Sequence, residues 1–272
     1  GELLSALQNY IKVIETRGDW EIVRLKIAEL YYKTGQFNNA EKALQDYKSR
    51  FDASVKFHAL SAKTQFALNN IAGFIKYYNS ATELGYRPDA EIKVMLGYID
   101  YQNNKFDKSR ELLESASAEI KSLKRKDDEI AVQQLLKNIY IRLGIAAFDS
   151  SKLNEASLYF NKVLEFDKSD LAANSYLGRI YFASGNINKA YIRLWLAHKL
   201  NAKDLQLARI FSQVAFNNKK FDEALPLLIK LAAITPHDYD LLRMTATIYA
   251  QRDNYAPNRA ALIDTLNKMI KL

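Results

Sequence analysis

Apolar residues recur along this chain at helical spacing, in stretches broken by short polar turns, and the whole pattern returns after 34 residues. A seven-residue punctuation of small residue, two hydrophobic anchors and Asn or Asp begins at Gly35, Asn69, Asn104, Ser151, Gly185, Lys219 and Asp253. From Ser151 to Asp253 each step is 34 residues. A period of that length predicts a stacked array of helix pairs before it predicts any enzyme.

Units begin at about 21, 55, 90, 137, 171, 205 and 239. Their eighth place holds Ala28, Ala62, Gly97, Gly144, Gly178, Ser212 and Ala246, all small. Two helices crossing there can approach closely, which a larger side chain would prevent. Twelve residues later come Ala40, Phe74, Ser109, Ala156, Ala190, Ala224 and Asn258, five of them small. One helical turn on stand Leu44, Tyr78, Leu113, Phe160, Leu194, Leu228 and Leu262, the large partners of the small contacts. Between the paired helices, Asn38, Asp107, Asn154, Asn188 and Asp222 are expected as N-caps of the second helix. Phe37, Phe106, Leu153, Ile187 and Phe221 just before them read as hydrophobic staples. Pro226 is expected inside the first turn of its helix.

These columns resemble the tetratricopeptide repeat family over essentially the whole chain. Unit five carries the family's places as Leu177, Gly178, Tyr181, Gly185, Ala190, Leu194 and Ala197, and unit six keeps Phe211, Ala224, Leu228 and a terminal Pro236. Most units lack that proline, and Phe74 and Asn258 depart from the second small place. The resemblance implies an all-α fold, a right-handed α-solenoid of stacked antiparallel helix pairs. Residues 1–272 then form a single array, with 1–20 as the second helix of a truncated repeat. Leu262, Leu266, Met269 and Ile270 give the last helix an apolar face, so the natural protein is expected to continue on one or both sides, or a partner to cover the ends.

The interval from unit three to unit four is 47, which adds 13 residues. No Gly or Pro interrupts 117–130, so both flanking helices are expected to extend into a longer hairpin. Lys121, Lys124, Arg125 and Lys126 would close one helix and Asp127, Asp128 and Glu129 open the next, either complementing the helix dipoles or forming a charged docking spike. With 9 Gly and 4 Pro there is no flexible linker, and no apolar run approaches the roughly 18 to 20 residues that span a bilayer. The chain has no Cys, which excludes disulfide and thiolate chemistry and leaves bacterial cytoplasm and periplasm equally open. Its many Asn, Lys, Ile, Tyr and Phe residues fit an AT-rich bacterial genome.

Charge is uneven. Lys plus Arg against Asp plus Glu is 20 to 19 over 1–136 and 19 to 12 over 137–272. In the family the first helices line the concave surface. The places that would face it hold Arg179, Arg209 and Arg243, with Gln206, Gln213, Asn217 and Gln251 between them. Guanidinium forks suit carboxylates and the amides suit a peptide backbone, which together resemble a groove for an acidic or polar extended segment. Tyr32, Phe66, Tyr101, Phe148, Phe182 and Phe216 share the twelfth place, either as packing between first helices or as a clasp for a bound peptide. The Asn and Lys pairs with which some relatives hold a chain-terminal carboxylate are not matched, since Lys56 and Asn138 stand in separate units.

Enzyme signatures are missing. His58, His198 and His237 fall in different columns, and neither a phosphate-cradling G-x-x-x-x-G-K nor a G-x-S-x-G elbow is present. No cofactor is implied. The expected role is a non-catalytic scaffold for one or more protein partners; the family resemblance implies that it organises a bacterial assembly of the envelope, secretion or motility kind, with self-association through the ends as an option. The second reading is RNA or other nucleic-acid binding through the basic C-terminal half.

Overall fold

A computed structural model describes residues 2–17, 20–123, 126–251 and 256–271. They form fifteen helices and no strand among the described residues. In order these are α1 (Glu2–Arg17), α2 (Glu21–Lys33), α3 (Phe37–Lys48), α4 (Val55–Ala67), α5 (Ile71–Glu83), α6 (Ala90–Gln102), α7 (Phe106–Ser122) and α8 (Lys126–Asp149). There follow α9 (Leu153–Phe166), α10 (Leu171–Ala183), α11 (Ile187–Leu200), α12 (Leu205–Asn217), α13 (Phe221–Ile234), α14 (Tyr239–Gln251) and α15 (Ala256–Ile270). Between the third and fourth repeats, α7 has 17 residues and α8 has 24, where the other helices have 12 to 16.

Two compact units are present, one of Gly1–Ile99 with Ser115–Leu123 and one of Asp100–Glu114 with Lys124–Leu272. In the first unit α2 pairs with α3 and α4 with α5, and α3 stacks on α4. Its core holds Ala28, Leu44, Tyr47 and Phe57, then Ala62, Phe74, Ile92 and Met95. In the second unit α8 pairs with α9, α10 with α11, α12 with α13 and α14 with α15, and each second helix packs on the first helix of the next pair. One cluster runs there from Ala190 and Leu194 through Leu207, Phe211 and Leu228 to Leu241 and Ile248.

The small column is the closest approach within a pair. Ala28, Ala62, Gly97, Gly144, Gly178, Ser212 and Ala246 are all buried. A Cβ placed on Gly178 would lie 2.4 Å from Leu194 Cγ, and one on Gly144 would lie 2.9 Å from the Phe160 ring. Real Cβ atoms do not come so near, so the glycines are required by the large residues facing them. Phe74, the large exception in the opposing column, is fully buried and stacks on Tyr78 with centroids 6.0 Å apart.

The punctuation has a different cause from the smallness that the sequence suggests. Gly35, Asn69, Asn104, Ser151, Gly185 and Lys219 all have φ between 58° and 74°, the left-handed region. The amide of Gln36 donates to the Tyr31 carbonyl at 2.9 Å, and those of Asn70, Lys105, Lys152, Asn186 and Lys220 donate five residues back at 2.8 Å. This closure of the last helical turn is a Schellman motif, made six times. Asp253, the seventh member of the column, lies outside the described residues. A lysine in this conformation is strained by about 1 kcal/mol relative to glycine. Lys219→Gly is therefore expected to stabilise the chain by about 0.5–1 kcal/mol in urea unfolding, and Gly185→Val to destabilise it by more; equal midpoints for both variants would contradict this.

The caps also differ from expectation. Because the turn takes up two residues fewer, Phe37, Phe106, Leu153, Ile187 and Phe221 are the first helical residues rather than staples. Asn38, Asp107, Asn154, Asn188 and Asp222 consequently fall inside the first turn and are not N-caps. Among second helices, Asn70 and Asn186 do the capping, accepting from the amides of Gly73 and Lys189 at 3.0 and 3.3 Å. The regular caps belong to the first helices: Ser54, Asp89, Asp170, Asp204 and Asp238 accept from the amide three residues on at 2.9–3.3 Å. Pro226 is the sixth residue of α13, past the first turn, and the helix continues through it to Ile234.

Candidate functional site

Within the second unit the capping aspartates organise the exposed side of the first helices. Asp238, which opens α14, receives Arg209 of α12 at 2.5 Å. Burial alone would raise the Asp238 carboxyl, but Arg209 and the amides of Leu241 and Asp240 outweigh it and hold its pKa below the ordinary value. Asp170, which opens α10, sits 3.4 Å from Lys137 of α8, and Asp167 is 3.3 Å from the same ammonium. Arg243 reaches Asp240 on its own helix at 3.6 Å. Two of the three arginines in the predicted groove thus face carboxylates of the chain itself.

Arg179 is different. It lies half-buried on α10 with its guanidinium 5.6 Å from the Tyr176 ring, and its Nε is buried with no hydrogen-bond partner among the described residues. A buried donor without an acceptor carries a penalty of about 1–3 kcal/mol that an incoming carboxylate would remove. Gln206, Gln213 and Asn217 are exposed along α12, the first two about two turns apart with Arg209 between them and the last one turn further on. Arg142 of α8 joins this set, and the sequence columns did not single it out. Its Nε donates to Tyr101 Oη at 3.1 Å, and the guanidinium lies 5.6 Å from the Tyr101 ring and 5.8 Å from the Phe106 ring. Its place, the sixth of its unit, is also that of Tyr176, so column position alone could not have marked it as a cation.

The aromatic column is half-buried throughout. Tyr32, Tyr101 and Phe216 lean on the first residue of the following helix, with centroids 5.6, 5.8 and 5.9 Å from Phe37, Phe106 and Phe221. Phe66 meets Phe74 at 5.6 Å, Phe148 meets Tyr176 at 5.1 Å, and Phe182 packs on the core cluster of the second unit. These contacts make the column a packing element that borders the polar face. In the first unit the corresponding face carries a charge network: Lys63 lies 2.7 Å from both Asp89 and Glu91, and Tyr32 donates to Glu91.

Lys121 is exposed in the last turn of α7. Lys124 and Arg125 lie outside the described residues, as does the side chain of Lys126. Burial lowers the pKa values of His58 and His198, and among the described residues no group of His, Asp and Glu could hold a metal ion. No described helix is long and apolar enough to cross a membrane.

Residues 149–231 match the family model described as anaphase-promoting complex, cyclosome, subunit 3. That match falls on the units whose small-against-large contacts and left-handed turns are set out above. The helix pairs are similar to tetratricopeptide repeats. Solved structures with similar tetratricopeptide folds include the C-terminal part of a repeat-containing protein from Cytophaga hutchinsonii, at 13% identity over 89% of this chain and 94% of that one, TM-score 0.47. YrrB, described as a TPR protein with an unusual peptide-binding site, is 16% identical over 78% of this chain and 97% of its own, TM-score 0.45. PilF of Pseudomonas aeruginosa is 15% identical over 84% and 97%, TM-score 0.40. No curated protein matches the chain. No catalytic family is indicated, and tetratricopeptide repeats are in general an interaction fold.

Proposed function

We propose that the chain is a non-catalytic scaffold that holds an acidic or polar extended segment of a partner protein along the exposed side of α8, α10, α12 and α14. The observation that carries this reading is Arg179, whose guanidinium lies over the Tyr176 ring and whose buried Nε has no acceptor among the described residues. Gln206, Gln213 and Asn217 supply donors and acceptors for a backbone alongside it. Arg209 and Arg243 play a lesser part, because Asp238 and Asp240 already face them. The composition supports a bacterial source, and the resemblance to tetratricopeptide repeats implies a multiprotein assembly of the envelope, secretion or motility type.

The test is affinity capture from the source cells with the full chain and with Arg179→Glu, both checked for unchanged helical circular dichroism. A partner retained at least ten-fold less by the variant is the expected result. An identical set of retained proteins sinks the assignment of this face. Recovery of nucleic acid alone, with log affinity falling steeply against log salt, would instead favour the basic half as an RNA-binding surface.

A further inference from the structure

A second surface is written into the solvent-facing side of the second helices. Leu158, Ile192 and Pro226 stand 34 residues apart on α9, α11 and α13, and one turn further on Trp195, Ile229 and Ile263 stand 34 apart on α11, α13 and α15. All six are exposed, Leu158 to 68% and Ile192 to 61%. Isolated exposed aliphatics are ordinary on any protein, but a row kept in register over four helices is not scattered. Nor does the repeat need it. The same two places hold Lys42 and Gln45 on α3 and Lys76 and Asn79 on α5, all exposed, while Ala40, Leu44 and Phe74 of the packing columns there remain buried.

The row runs into a cleft between α13, α14 and α15, lined by Ile229, Ala233, Pro236, Leu242 and Tyr249. Its polar groups are answered within the chain: Thr245 and Thr265 donate to the Leu241 and Ala261 carbonyls at 2.8 Å, and Lys268 pairs with Asp264 at 2.6 Å. What such a cleft accepts is an apolar side chain. The surroundings are basic. Helix α11 has no Asp or Glu and carries Lys189, Arg193 and Lys199, with the Lys199 ammonium 5.0 Å from the Trp195 ring, and Lys230 is exposed beside Ile229.

We propose that this side of α9, α11, α13 and α15 is a docking surface for an amphipathic segment of a partner protein that carries Asp or Glu beside its apolar side chains. A bilayer fits less well, because a flat anionic surface would lie against the exposed Glu155, Glu165, Asp222 and Asp264 as well, whereas a short segment can follow the α11 cations and avoid them.

A phage-displayed library of random peptides, selected on the immobilised full chain and counter-selected on Ile192→Lys, Trp195→Gln, Ile229→Asn, tests this directly. The substituted residue types stand at the equivalent places of α3 and α5, so the helix pairs tolerate them. The expected winners have apolar residues at helical spacing flanked by Asp or Glu. They should bind at least ten-fold more weakly to the triple variant and shift Trp195 emission to the blue in a Trp20→Phe background, where it is the sole tryptophan. No enrichment over the variant, or winners flanked by Lys and Arg, overturns the proposal. Vesicles of phosphatidylcholine and phosphatidylglycerol that shift Trp195 when no selected peptide does would assign the surface to lipid instead.

Discussion

Gly178→Ala is expected to destabilise the chain by about 1–3 kcal/mol, although alanine is the better helix former by about 1 kcal/mol. The added methyl would enter the space of Leu194 Cγ, 2.4 Å away, and that atom is the branch point of a fully buried side chain. Leu194 cannot swing aside without displacing its own core neighbours. Leu194→Ala alone should cost about 2–5 kcal/mol through the cavity it leaves. In the double variant the new methyl at 178 meets open space rather than Leu194, so the pair should cost markedly less than the two single costs added together. Urea denaturation of the four chains measures the coupling; additive costs would show that the two helices do not depend on this contact.

The second large effect concerns Lys63. Replacing it by Met should cost about 1–2 kcal/mol at neutral pH, because Asp89 and Glu91 would then face each other without the ammonium that lies 2.7 Å from each. The two carboxylates are partly exposed, and screening by solvent keeps the cost below that of breaking a fully buried pair. The pH dependence has a defined sign. Burial pushes Asp89 up, but hydrogen bonds from Lys63 and the Ile92 amide hold its pKa below the usual 3.8. Its contribution is complete above the unfolded value and disappears as pH falls through the folded one. For Lys63, burial opposes the charge, yet Glu91 and Asp89 raise its pKa above 10.5. That contribution is complete below 10.5 and disappears as pH rises through the folded value. Lys63→Met should therefore show a shallower loss of stability both below pH 4 and above pH 10.5. A variant whose stability stays parallel to the parent at every pH would refute the network.

The packing columns were legible because burial restricts residue size at fixed places. Gly144 and Gly178 could be read as contacts without knowing any coordinate, since only a small residue recurs there. The turns were legible in position but not in cause: Lys219 shows that the column selects backbone conformation, and smallness was an accident of Gly35, Gly185 and Ser151. That error shifted the expected starts of the second helices, and their caps, by two residues. A row of Asp at 170, 204 and 238, each one place ahead of a unit, was the available signal for the true caps. The face was harder to read. A sequence lists Arg179, Arg209 and Arg243 as equals, and only the capping role of Asp238 and the position of Asp240 separate them. Arg142 was hidden because its column holds Leu60, Met95, Tyr176, Ile210 and Met244 in other units and so reads as mostly apolar.

Each of the six left-handed turns is closed by a bond between residues five apart, such as Asn186 to Tyr181. Such closures require almost no loop entropy, so a helical hairpin can form as soon as its own residues are available. A chain knitted from contacts this near in sequence has low contact order and folds fast for its length, with a starting point in any repeat. During synthesis, early repeats can settle while later ones are still being made.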